Sequence, residues 1–200
     1  MASLPAGAFP TSSNLLPTAD MLEAGTYRVE FENDGAPGLF AGEAENYLLL
    51  QFAPGRRVEI GVDLYSAGDE NQALLNVKYL ALSEAPRRPA LGVGVLEVGN
   101  GYSATTYLVG TKDLGGGFRM TAGGAACESD EAWLLGAELQ IGKADYLLAD
   151  WASWRAGFLS LGVYREMGNG LAINLAYAWP NDYAEQRFLL LNLSHTAAFR

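Results

Sequence analysis

The stretch Leu171-Ala172-Ile173-Asn174-Leu175-Ala176-Tyr177-Ala178 decides how the chain folds. Its bulky apolar side chains fall at every second position, and only alanines and one asparagine stand between them. A β-strand sends successive side chains to opposite faces, so this octet carries one greasy face and one small, mixed face. The same alternation returns at Val58, Ile60, Val62 and Leu64, spaced by Glu59, Gly61, Asp63 and Tyr65. It returns at Leu75, Val77, Tyr79 and Ala81, where Leu74 and Leu80 on the mixed face make it less clean, and at Leu189, Leu191 and Leu193, spaced by Leu190, Asn192 and Ser194.

Turn signals separate these runs: Pro54-Gly55, Gly68-Asp69, Ala85-Pro86, Gly99-Asn100-Gly101, Gly115-Gly116-Gly117, Gly142-Lys143, Gly168-Asn169-Gly170 and Pro180-Asn181-Asp182. Gly and Asn supply the positive φ that tight hairpins need. The spacing predicts about twelve strands of roughly 8–11 residues. They fall near 26–33, 44–53, 56–66, 72–82, 89–98, 102–112, 117–125, 132–141, 144–151, 154–166, 171–179 and 184–196. Well over half the chain is then strand, a share that an ordinary globular domain does not reach and a barrel of consecutive hairpins does.

Composition narrows the function classes. Half of the 200 residues are apolar, 18% are charged, 24 are Gly, and the net charge is −10. So apolar a chain does not stay disordered. One cysteine, Cys127, excludes a disulfide framework and a Cys-based zinc site. The acidic balance argues against nucleic acid as a partner, since phosphates demand basic patches. No run approaches the roughly 18 apolar residues of a spanning helix. Residues 1–20 read as no signal peptide, because a basic start is missing and Pro5, Pro10 and Pro17 break any apolar run.

The mixed face indicates which solvent the greasy face meets. A soluble sandwich points its apolar face inward and its Lys, Glu and Thr to water. A membrane barrel points the apolar face to lipid and keeps small and polar groups inside. Here the second face carries Gly61, Gly92, Gly94, Gly110, Gly123, Gly136 and Gly162, with isolated charges of both signs. That suits a crowded lumen. The expected lumen set is Glu59, Asp63, Asn76, Lys78, Arg119, Glu138, Asp150, Asn174 and Asn192. The expected lipid-facing set is Val58, Ile60, Val62, Leu64, Val77, Leu171, Ile173, Leu175, Leu189, Leu191 and Leu193. With Arg28 and Glu30 added, acids outnumber bases in the lumen, which favours cations. Aromatics near strand ends suggest interfacial girdles: Tyr27, Tyr47, Phe52, Tyr65, Tyr102, Phe118, Trp133, Trp151, Trp154, Tyr164, Trp179 and Phe188.

Turn charges add a polarity. Odd-numbered turns are acidic (Glu32, Asp34; Asp69, Glu70; Glu128, Asp130, Glu131; Asp182, Glu185), and even-numbered turns are basic (Arg56, Arg57; Arg87, Arg88; Lys112; Lys143). The first, third and seventh turns also read as longer than most even ones, so the even, basic end is assigned to the periplasm.

Over residues 26–199 this pattern resembles a bacterial outer-membrane β-barrel, and Arg187–Phe199 resembles the C-terminal targeting strand of that class. The resemblance implies an all-β, antiparallel, up-and-down transmembrane barrel in the bacterial outer membrane. Its implied partners are the lipid bilayer, the barrel-assembly machinery and small polar solutes, and its implied activity is that of a passive porin-like channel. A closed structural or assembly barrel and a soluble secreted β-sandwich that binds a ligand stand as alternatives.

No enzyme, cofactor or metal site is expected. The single histidine, His195, adjoins Ser194, and neighbours on a strand face opposite ways, so the two cannot pair as nucleophile and base. The carboxylates Glu59, Asp63, Glu138 and Asp150 are expected to pair with Lys78, Arg28 and Arg119, since buried charges are costly unless paired. Gly92-Val93-Gly94 and Gly115-Gly116-Gly117 lack the following helix and Lys-Ser/Thr of a phosphate loop. Cys127 is expected in a loop. The chain divides into a barrel over 25–200 and an N-terminal segment, 1–24, that carries Leu15-Leu16 and is expected as a lumen plug, a rim contact or a tail.

Overall fold

The computed structural model describes residues 13–35, 45–67, 70–99, 103–128, 130–155, 157–182 and 187–199. Twelve strands run in order: β1 (Thr26–Gly35), β2 (Glu45–Gly55), β3 (Val58–Ala67), β4 (Glu70–Leu82), β5 (Ala90–Val98), β6 (Thr105–Gly115), β7 (Phe118–Cys127), β8 (Asp130–Gln140), β9 (Asp145–Ala152), β10 (Phe158–Gly168), β11 (Leu171–Pro180) and β12 (Phe188–Ala198). Each pairs antiparallel with the next, and β1 pairs with β12 from Thr26↔Ala198 to Gly35↔Leu189. The result is a single closed barrel rather than the two sheets of a sandwich, and closure leaves no edge strand.

The alternation sorts the side chains as a barrel requires. Outside lies an apolar band that includes Ile60, Leu64, Leu108, Leu135, Leu161, Leu171, Leu175 and Leu193, all exposed. A water-soluble monomer rarely shows so continuous an apolar surface. Aromatics flank the band. Tyr27, Phe52 and Phe199 cluster at the end where β1 begins, and Trp133, Trp151 and Trp179 lie along β8 to β11 at the other end. Two such girdles mark the water–lipid boundaries of a membrane barrel.

Five aromatics assigned to the girdles lie elsewhere. Tyr47 is only 2% exposed and stacks on Tyr65 inside the barrel. Tyr164 faces inward beside Tyr146. Trp154 packs on the interior apolar cluster, and Phe188 on the smaller one around Leu190. A residue's height on a strand does not fix its face, and these positions fall on the inward parity. Tyr102 lies outside the described residues.

The turns also differ from the sequence reading. The third and seventh connections are short, because pairing continues to Ala67↔Glu70 and Cys127↔Asp130. Cys127 therefore ends a strand, and its Sγ donates to the Ser103 carbonyl at 3.3 Å. The longer odd connections are 36–44, 99–104, 153–157 and 181–187, while the fourth, 83–89, is a long even one. Glu32 and Asp34 belong to β1 and are buried, because their backbone pairs on both sides. Asp69 and Glu185 lie outside the described residues. The reading also placed strands too early at 102–112, 154–166 and 184–196, where the ladders begin at Thr105, Phe158 and Phe188.

One bulge escaped the alternation. The register slips between Leu75 and Val77 of β4, so Leu96 and Glu97 of β5 both turn inward. Glu97 takes φ 62°, and its N–H donates to Asn76 Oδ1 at 2.9 Å.

Candidate functional site

The interior is built around the N-terminal segment. From Gly25 the chain runs back inside the barrel, and residues 14–19 are buried. The segment bends at 13–16, where the Ser13 N–H donates to the Leu16 carbonyl at 3.1 Å, and the walls supply partners for other buried backbone groups. Asp150 of β9 accepts from the Asn14 N–H at 2.7 Å and the Leu15 N–H at 2.8 Å, and also from the Ser13 hydroxyl. Thr111 of β6 accepts from the Ala19 N–H at 2.9 Å, and Glu59 of β3 accepts from the Leu22 N–H. Lys78 of β4 donates to the carbonyls of Thr18 and Asp20. Arg119 of β7 binds the Asp20 carboxylate at 2.6 Å. Small residues make the room. A β-carbon at Gly92 would sit 3.2 Å from the Ala19 Cα, and one at Gly162 would collide with the Asn14 side chain and with Ala176.

The two sides of the interior differ. Leu16 and Ala19 pack against Leu96, Tyr107, Val109, Ala132 and Leu134 of β5, β6 and β8. Leu15 packs against Ala176, Ala178 and Leu190 of β11 and β12. The segment thus serves as a core for half of the barrel. On its other side lies a polar cavity of about 220 Å³, with Asp20, Arg28, Glu30, Glu138, Tyr146, Tyr164, Glu166, Asn174 and Asn192 in its walls. It reaches the end where β1 begins through half-buried Glu138 and exposed Glu166.

The residues assigned to the lumen form local pairs. Glu59 and Lys78 lie opposite each other on β3 and β4, both 0% exposed, 3.1 Å apart. Asn76 donates to Asp63 at 2.6 Å. Asn174 donates to Asn14 Oδ1 at 3.2 Å, and Asn192 to Glu30 at 2.8 Å. Glu138 lies opposite Arg119 in the β7–β8 register, but Arg119 engages Asp20 and Glu84. Arg28 stands 3.8 Å from Glu30. Of the residues assigned to lipid, Ile60, Leu64, Leu171, Leu175 and Leu193 are exposed, and Val58, Val62, Val77, Ile173, Leu189 and Leu191 are half-buried. Ser194 is buried and His195 exposed, on opposite faces.

Sequence reasoning missed several of these residues. Asn14, Thr18 and Asp20 carry no periodic signal. Thr111, Ser160 and Thr121 did lie on inward parity and could have been found by extending it.

Outside the bilayer-height strands, the turn around Glu84 is tied down by charge. Lys112 at 2.7 Å and the Asp113 N–H at 3.0 Å hold its carboxyl below the ordinary glutamate range, against the opposing effect of its partial burial.

No family model matches the chain, and no curated protein matches it. Solved structures do. A KdgM porin aligns with a TM-score of 0.64 at 9% identity, over 86% of this chain and 99% of that one. A NanC porin aligns at 0.58 and 9% identity, over 87% and 100%. The Acinetobacter baumannii outer membrane protein Omp33 aligns at 0.56 and 10% identity, over 87% and 98%. At such identities the likeness is one of fold, and the chain carries the closed antiparallel barrel fold of these porins.

Proposed function

We propose that the chain is a bacterial outer-membrane, porin-like channel that passes small polar solutes by diffusion, with a preference for cations. The observation that carries this reading is a polar cavity beside the inserted segment, inside a barrel whose outer surface is an apolar band with aromatic girdles. Of the residues assigned to the lumen, Glu138, Asn174 and Asn192 line this cavity, while Glu59, Asp63, Asn76, Lys78, Arg119 and Asp150 hold the inserted segment or one another; with Asp20, Arg28, Glu30 and Glu166 in its wall, acids outnumber bases. The porin fold supports a non-catalytic role. The end that holds both barrel termini is assigned to the periplasm. β12, closing on β1 and followed directly by Phe199, is the strand offered to the barrel-assembly machinery.

Planar-bilayer recording on the full chain tests this. Discrete conductance steps with a reversal potential displaced toward the cation potential are expected, and a folded sample that never conducts would remove the channel. One observation favours a second reading, a closed structural barrel: residues 14–19 and the apolar clusters around Leu15 and Leu16 fill much of the interior.

A further inference from the structure

The geometry points to a binding site for a small organic ammonium compound in the cavity between the N-terminal segment and the wall formed by β8 to β12 and β1. The inference names the solute class of the proposed lumen and rests on that reading only for passage, not for binding.

Three features converge. First, Tyr146, Tyr164, Asn174 and Asn192 form one cross-strand row, each opposite the next in the ladder. Asn174 is 4% exposed and Asn192 6%, and the amide oxygen of each is buried without a hydrogen-bond partner. Their amide nitrogens are committed, to Asn14 and to Glu30, so the orphan groups are acceptors. A buried acceptor left unmade is costly, and a donor brought against the row would relieve it.

Second, the charge is one-sided. Asp20 and Glu30 have Arg119 and Arg28 beside them, but Glu138 and Glu166 form no ion pair among the described residues. Glu166 stands one inward step from Tyr164 toward the open end, and Glu138, opposite Leu148, one inward step to the other side of the row, so the two carboxylates flank it. They surround the cavity instead of converging, and among the described residues no three acidic, His or Cys side chains could hold a metal ion.

Third, the Tyr146 and Tyr164 rings lie 5.8 Å apart in the cavity wall. Aromatic faces attract cations and cover methylenes. The volume, about seven waters' worth, holds a short aliphatic chain. A diammonium chain matches this lining: one ammonium on the asparagine oxygens, the other on a flanking carboxylate, Glu138 or Glu166.

The experiment is calorimetric titration of the full chain in detergent with 1,4-diaminobutane, 1,4-butanediol and butanedioate. Saturable diamine binding is expected, at least tenfold tighter than the diol, with none for the dicarboxylate. Glu138→Gln and Glu166→Gln should each weaken the diamine several-fold without moving the diol. Both are near the open end and leave the ion pairs intact, and heat-modified gel mobility verifies that each variant folds. No saturable diamine binding, equal binding of the diol, or indifference to both variants would overturn the site. Diamine binding by a protein that does not conduct would keep the site and remove the channel. Conductance without diamine binding would do the reverse.

Discussion

Replacing Asp150 by alanine should release the N-terminal segment from the lumen. The Asp150 carboxylate takes two backbone N–H groups at 2.7 and 2.8 Å, besides the Ser13 hydroxyl. Hydrogen bonds to a charged acceptor contribute about 1.5–3 kcal/mol each, so losing the two backbone bonds weakens docking by about 3 kcal/mol at the low end. At 1.4 kcal/mol per decade, that shifts the docked-to-released ratio by roughly 100-fold. Hydrogen exchange of the folded protein in detergent reads this directly. The amides of Asn14 and Leu15 should exchange about 100-fold faster in Asp150→Ala, while strand amides stay protected. On the channel reading, conductance should rise too, because the segment occupies the cross-section. The reasoning fails if residues 14–19 of the unsubstituted protein already exchange like a free peptide, or if the substitution leaves their protection unchanged.

Other substitutions test the facing and the charges. Leu175→Arg places a cation on the lipid side at mid-height and should destabilise by about 2–4 kcal/mol, whereas Asn174→Ala should cost about 1 kcal/mol; urea titrations in lipid giving the opposite order would invert the assignment of faces. Lys78→Ala leaves Glu59 buried without its cation and should cost about 3–5 kcal/mol, much of it recovered in Lys78→Met/Glu59→Leu, where no charge remains; equal losses for both would show the pair to be immaterial. Glu84 should titrate below its ordinary 4.5, since Lys112 favours its ionised form. A depressed folded pKa means that its contribution is present above about 4.5 and lost as pH falls through the lower folded value. A carboxyl NMR midpoint at or above 4.5 would contradict the turn described.

How much was legible depended on period. Alternation at Val58–Tyr65 and Leu171–Ala178 places side chains on faces without knowledge of the fold, so strand number and closure could be read from it. It fails where the ladder slips, as at Leu96 and Glu97, and it cannot place an aromatic such as Tyr47 when only its height is considered. Strand ends were blurred because ladder bonds continue through residues with turn character, such as Glu32 and Asp34. The segment around Asn14 was least legible. Its conformation is set by Asp150, Thr111 and Glu59, which lie far away in sequence, and its own composition holds no pattern. Gly92 and Gly162 hinted at a close approach inside the lumen without saying which piece of chain makes it.

That inserted segment orders the events of assembly. Asn14 is held by Ser160 and Asn174, and Leu15 by Asp150, so a segment that precedes the barrel is bound in part by its later strands β9 to β11. Contacts between residues so far apart in sequence form late, because long loops must close first. Until β12 meets β1, no enclosed space exists for the segment, and the Asn14 and Leu15 amides wait for β9 to come within reach. The ribosome makes the segment before any strand, yet it is among the last parts to find its place. Closure and filling are then separate kinetic steps, and a barrel halted between them would be complete in its ladder and still hollow.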